Sequence, residues 1–269
     1  MLAKLLKYDF KAMFKIFLPL WGVLLVVSGV NRLISGSPLA EGGGMGIFTS
    51  LLGVMYVLLI MAVMVVTTVI IIARFYQGLL KDEGYLMFTI PVKPWQLLAS
   101  KLISAMVISI ISGIVALASV AIIAYFPEMG QVLAELWKMG MKNVPNFLPL
   151  VILLVVSLFV GIICSVSQVY ASMALGHLAG SHRVGFAVLA FIVLSVIWST
   201  VGSVIGLFGY PDLTSTMISI NEIEVSVDVA GISNVLLTAT VWGLILDVVR
   251  CVVHLGITNY ILSRRLNLE

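Results

Sequence analysis

RFYQGLLKDEGYLMFTIPVKPWQLLASK, running from Arg74 to Lys101, decides how the rest of the chain is read. It carries charges of both signs, two glycines (Gly78, Gly84), two prolines (Pro91, Pro94) and several aromatic residues. The sequence on either side is almost pure hydrocarbon. Those flanking runs are long enough to cross a bilayer, so this stretch has to leave it.

Composition supports that frame. Of 269 residues, 61% are hydrophobic and 10% charged, against about 45–50% and about 25% in ordinary globular chains. A soluble fold of this size cannot hide so much apolar surface, so lipid must serve as part of its solvent. Cys164 and Cys251 both lie in apolar runs, which leaves no disulfide framework or paired-cysteine motif. Three scattered histidines, His177, His182 and His254, are too few ligands for most metal centres.

Working outward from Arg74–Lys101 gives six spans. The expected architecture is an all-α membrane protein with transmembrane helices over about 16–34, 47–73, 102–125, 147–170, 184–208 and 234–263, a single transmembrane domain covering 16–269. Residues 1–15, MLAKLLKYDFKAMFK, place Lys4, Lys7, Lys11 and Lys15 on one helical face and Leu6, Phe10 and Met13 opposite, continued by Phe17. That pattern predicts an amphipathic helix lying in the headgroup layer. The second span, 27 residues long, would reach about 40 Å and so tilt or project from a core of about 30 Å. Between Pro127 and Pro145, QVLAELWKMGM predicts a short interfacial helix, and Ala171–Arg183 a tight turn. The connection 209–233 carries four acids, and its alternating IEVSVDV segment predicts a short strand or an extended loop.

Charge bias sets the expected orientation. With both ends cytoplasmic, eleven of the fifteen lysines and arginines fall on the inner side, and only Arg32, Lys138 and Lys142 fall outside. Seven of the twelve acids fall on the outer side. The lysine and arginine count predicts an N-in, C-in protein of the plasma membrane and puts residues 74–101 in the cytoplasm.

Motif reading excludes several chemistries. No GxxxxGK[ST] loop, HExxH or GxSxG motif is present, so the chain is expected to have no ATPase site and no catalytic residues, bound cofactor or metal. Asp247, Arg250 and His254 are spaced three and four residues apart in the last span, which places all three on one helical face. Ionisable groups at that depth are costly and face a bundle interior or water. They form a candidate polar stripe, contacting substrate or protons, or else an internal pair that fixes helix packing. Small residues in SGIVALAS (Ser112–Ser119) and GSVIG (Gly202–Gly206) predict close helix contacts. The thirteen methionines are expected at lipid-facing or core positions.

Within the opening stretch, Pro91 and Pro94 block a continuous helix, and Pro94 suits the first turn of the next one. Tyr85, Leu86, Met87, Phe88 and Ile90 form an apolar run outside the bilayer that needs the membrane surface or a partner protein. Asp82 and Glu83 beside it favour the protein, since anionic lipid would repel them.

KDEGYLMFTIPVKPWQLLASK resembles the segment after the second span in permease subunits of ABC-2-type bacterial ABC transporters. There an acidic-Gly-Tyr-Leu run is followed by Ile-Pro-Val and a Ser-Lys start of the next helix. The N-terminal amphipathic segment is similar to that family's elbow helix, and the six-span plan matches over essentially the whole chain. The resemblance implies a cytoplasmic coupling helix within 74–101 that docks into a separately encoded ABC ATPase. The contact set carried over is Asp82, Glu83, Gly84, Tyr85, Leu86 and Phe88, with Leu175–Arg183 as a smaller second contact. It implies two ATPase subunits, which bind the ATP, and a second permease chain, identical or not. Membrane lipid is the expected surrounding, and no nucleic-acid partner is expected. The implied function is export of an amphipathic or apolar cargo: a peptide, lipid-linked molecule or drug. A membrane sensor or assembly subunit that binds a cytoplasmic partner without transport is the alternative, and an intramembrane enzyme a further one. The connection 209–233 is longer than the family's tight outer linkers.

Overall fold

The computed structural model describes residues 2–35, 43–80, 94–179, 182–209 and 229–264. Helix accounts for 95% of the described residues, and no strand occurs among them. In chain order the helices are α1 (Leu2–Ser35), α2 (Gly43–Phe75), a π-helical turn (Tyr76–Leu80), α3 (Pro94–Ala124), α4 (Met129–Asn143), α5 (Phe147–His177), α6 (Arg183–Gly209) and α7 (Val229–Arg264). Six of these (all but α4 and the π turn) are long and apolar enough to cross a membrane, the mark of a multi-pass membrane protein. They fall into two compact units, one within Met1–Pro127 and one within Glu128–Leu266.

The first unit packs α1, α2 and α3 together, with α1 against α3 as the principal contact. Its core is Met13, Phe17, Trp21 and Leu24 from α1, Tyr56 and Val63 from α2, and Ile108 from α3. The α1 residues recur at spacings of four, four and three, one stripe of a single helix. The expected boundary between a surface helix over 1–15 and a span from 16 therefore disappears, because α1 runs unbroken through Pro19. A proline removes one backbone donor, a loss that membrane helices tolerate where neighbours repack around it. Met13 and Phe17, assigned by sequence to the side facing lipid, instead lie buried in this core, while Lys7, Lys11 and Lys15 point outward.

Small hydroxyl residues on α3 let α1 and α2 approach and then bond to them. The Trp21 indole Nε1–H donates to Ser112 Oγ at 3.1 Å, and Tyr56 Oη lies 2.8 Å from Ser119 Oγ. The close contacts expected of SGIVALAS are present at both of its serines. α3 begins at Pro94, as the proline's fixed φ favours, so Pro94–Lys101 belongs to the helix rather than to the polar connection.

In the second unit α5 is central, packed along both α6 and α7, which touch each other much less. α5 continues through Ala171–His177, where the sequence predicts a turn. Ala171, Met173, Ala174 and Leu175 are good helix formers, and a Cβ at Gly176 would meet the Ala187 backbone nitrogen at 2.5 Å. The smallness that suggests a turn is instead used for close packing of α5 on α6. α4 spans the expected interfacial helix and folds back onto α5, with Trp137 set edge-on to Phe147 at 5.1 Å between ring centroids. Gly202 does not make the expected contact within the unit: nothing lies within 4 Å of where its Cβ would stand. α7 opens at Val229, earlier than expected; the remainder of IEVSVDV lies outside the described residues.

Candidate functional site: a polar chain within the second unit

The residues Asp82, Glu83, Gly84, Tyr85, Leu86 and Phe88 lie outside the described residues. Their flanks are described, and they converge. Lys101 Nζ donates to Asp9 Oδ1 at 2.6 Å, with both side chains almost wholly buried. Gly78, in the π turn, sits against the same lysine: a Cβ there would stand 3.1 Å from Lys101 Cε and 3.2 Å from Nζ. The two helix ends that border residues 81–93 are thus joined to each other and to α1 through one ion pair. A buried pair is costly to desolvate, and removing either partner strands the other charge. The sequence reading takes Lys101 as a cytoplasmic surface charge and passes over Asp9. The signal for Asp9 is its register, four and eight residues before Met13 and Phe17 on the same buried stripe.

Asp247, Arg250 and His254 do share one face of α7, and that face is turned to α5 and α6. Asp247 stands at the midpoint of the Gly231–Ser263 span. Arg250 Nη2 donates to Gln168 Oε1 on α5 in a short contact. Gln168 Nε2 passes the chain on to Ser195 Oγ of α6 at 2.7 Å, and Ser195 Oγ donates to the Phe191 carbonyl at 2.8 Å. Arg250 Nη1 and Asp247 Oδ1 are 3.8 Å apart, an ion pair without hydrogen-bond contact. One turn further, Trp198 Nε1–H donates to His254 Nε2 at 3.0 Å, the two rings edge-on.

His254 is completely buried, whereas Arg250 and Asp247 keep 26% and 32% of their side-chain exposure. Arg250 Nε and His254 Nδ1 are both buried without a hydrogen-bond partner among the described residues. The stripe alternatives are therefore not exclusive. Gln168, Ser195 and Trp198 tie the helices together, and the donors left over can act on something else. Gln168 lies near the end of the expected span 147–170, and nothing in the sequence alone marks Ser195 or Trp198. Hydroxyl and indole groups are common in spans and announce a partner only when a second helix supplies it.

Among the described residues no group of three or more histidine, cysteine or acidic side chains is placed to hold a metal ion. Fold and site together define a multi-pass helical membrane protein with a hydrogen-bonded polar chain through its second three-span unit. Comparison with protein-family models, with curated proteins and with solved structures finds no match to this chain.

Proposed function

We propose that this chain is the permease subunit of an ABC-2-type exporter, with both ends cytoplasmic in a bacterial plasma membrane and the energy supplied by a separate ABC ATPase. The observation that carries the reading is the segment Asp82–Lys101, with its acidic-Gly-Tyr-Leu and Ile-Pro-Val parts in order between the second and third spans and its Ser-Lys part in the opening turns of the third. The last residue of that segment is the buried Lys101, locked to Asp9.

The mechanism follows from those parts. ATP-driven closure of two ATPase subunits pushes on a coupling helix formed around Asp82–Phe88. The Lys101–Asp9 pair and Gly78 hold the neighbouring ends of α1, α2 and α3 as one body, so the push moves three spans together rather than bending one. Access then alternates along a path between this permease and a second permease chain. Only 10% of the residues are charged, which favours an amphipathic or apolar cargo over a sugar or an ion.

Replacing Tyr85 and Phe88 by Asp tests the docking: the double variant, carried in the full chain, loses co-purification of the ATPase and loses transport. Undiminished association and transport would remove Asp82–Phe88 from the mechanism. ATP turnover by the ATPase that stays the same with and without this chain would move the reading to a non-transporting membrane subunit.

A further inference from the structure

We propose that the seam of α5, α6 and α7 is a binding site for an oxyanion carried on an apolar tail, a carboxylate or phosphate amphipath, held by Arg250 and His254. As a statement about cargo this rests on the transport reading above; as a binding site it stands without it.

The argument begins with unused donors. A guanidinium has five N–H groups in a fixed fork and no acceptor. In Arg250, Nη2 is committed to Gln168 and Nη1 faces Asp247 beyond hydrogen-bond distance, while Nε is buried and unpartnered among the described residues. In His254, Nε2 accepts from Trp198, so the proton of the neutral ring belongs on Nδ1. That atom is also buried and unpartnered among the described residues, in a side chain with no exposure at all. Arg250 and His254 are one turn apart on one face, which brings their Cβ atoms to about 5–6 Å of each other.

Two donors one helical turn apart inside the membrane, one of them cationic, both stand without an oxygen acceptor among the described residues. Buried donors are satisfied in nearly all proteins, and an unsatisfied one asks for a ligand or an ordered water. A water would satisfy hydrogen bonds but leave the charge unused; an oxyanion answers both. A small hydrated anion has no route to mid-span, whereas an amphipath arrives through lipid with its tail against apolar side chains. On α7 the exposed Trp242, Val249 and Val253 border the face of Arg250 and offer apolar surface for that tail. Asp247 gives the site its sign. It lies on the Nη1 side of Arg250, keeps the empty site neutral, and repels an incoming anion.

The test uses the full chain in nanodiscs of zwitterionic lipid. The probes are oleate, lysophosphatidic acid, oleyl alcohol, acetate and inorganic phosphate. Oleate or lysophosphatidic acid binds saturably, while the alcohol and the tail-less anions do not. R250Q weakens that binding roughly tenfold or more, the loss of a charge-assisted contact; H254F weakens it several-fold; D247N tightens it; T68A, in the other unit, leaves it unchanged. Equal binding of oleate and oleyl alcohol overturns the proposal and leaves a water as the acceptor. Saturable binding of inorganic phosphate alone overturns the amphipathic source. Should R250Q fail to fold, D247N decides: a purely structural Asp–Arg pair gives unchanged or weaker binding, and only an anion site gives tighter binding. None of these readings involves the ATPase, so failed ATPase docking sinks the transport reading without touching this one.

Discussion

The two three-span units solve the same problem in different ways. In the first, 28%, 22% and 22% of the most apolar window of each span is buried; in the second the shares are 6%, 0% and 0%. Each unit also holds one acid–base pair among the described residues. Asp9 and Lys101 meet at 2.6 Å out of solvent, and Asp247 and Arg250 stand 3.8 Å apart and half-covered. The first unit is closed on itself, with indole, phenol and lysine partners all supplied internally. The second is held by a few polar bonds and leaves both its donors and its apolar flanks available. Lipid is as apolar as leucine, so bare flanks alone carry no penalty in a membrane; unused donors do. The difference teaches that the first unit satisfies its buried polar groups from within, whereas the second leaves buried donors over among the described residues.

The largest effect expected from breaking this contrast is at the tight pair. Lys101→Met strands the Asp9 carboxylate in a buried site and is expected to lower stability by about 3–5 kcal/mol. Unfolding of the purified protein in detergent, followed by chemical denaturant, measures it. Adding Asp9→Asn to the same chain removes the stranded charge and restores most of the loss. A double variant as unstable as the single one would show that the pair matters for shape rather than charge. Arg250→Gln in the second unit makes the comparison sharper. Its loose, half-covered pair predicts a loss well under half of that seen for Lys101→Met.

Next in size is the crossing of α5 and α6. Gly176→Leu has no room, because even a Cβ meets the Ala187 backbone, and overpacking of this kind costs about 1–3 kcal/mol. A thermal melt of the variant beside the parent reads it directly. A smaller effect belongs to the indole bonds. Trp21→Phe and Trp198→Phe each remove one hydrogen bond between helices, for which membrane measurements average about 0.6 kcal/mol. The second should cost more, since it leaves His254 with neither nitrogen partnered among the described residues. Equal losses would mean that His254 Nδ1 has found an acceptor.

Much of this architecture is legible in the sequence, and the reason is physical. Hydrocarbon runs of span length leave few alternatives, so α2, α5 and α6 begin or end close to their expected positions, and Pro94 marks the start of α3. The shared face of Asp247, Arg250 and His254 follows from spacing alone. What escaped was whatever depends on a second helix. Asp9 sits among lysines that declare a surface, and nothing local says that Lys101 comes from 92 residues away to meet it. Ala171–His177 is composed of residues that serve a turn or a tight crossing equally well, and only the approach of Ala187 separates the two. Gln168 stands two residues before the expected end of its span at Tyr170, and only the continuation of α5 to His177 sets it within the packed helix.

The smallest effect on the single chain is expected at Gly202, and it tests the second unit most directly. Nothing lies within 4 Å of a Cβ there, so Gly202→Ala adds a methyl group into open space and replaces a poor helix former with the best one. Stability of the isolated chain should stay level or rise by up to about 1 kcal/mol. Yet Gly202 and Gly206 lie one turn apart on α6, the small-xxx-small spacing that lets two membrane helices come into backbone contact. If, as proposed, this chain works with a second permease chain and that chain packs on this face, the same methyl that the single chain ignores will obstruct the approach. Crosslinking or native mass measurement of Gly202→Leu beside Gly202→Ala then gives a graded loss of the dimer with no loss of the monomer's stability. An unaltered dimer in the leucine variant would place the second chain against another face. The first unit offers a matched control in Gly113→Leu on α3, where a Cβ likewise meets nothing within 4 Å. Dimer loss confined to the Gly202 series would assign assembly to the open unit, and equal loss in both series would erase the contrast argued from their burial.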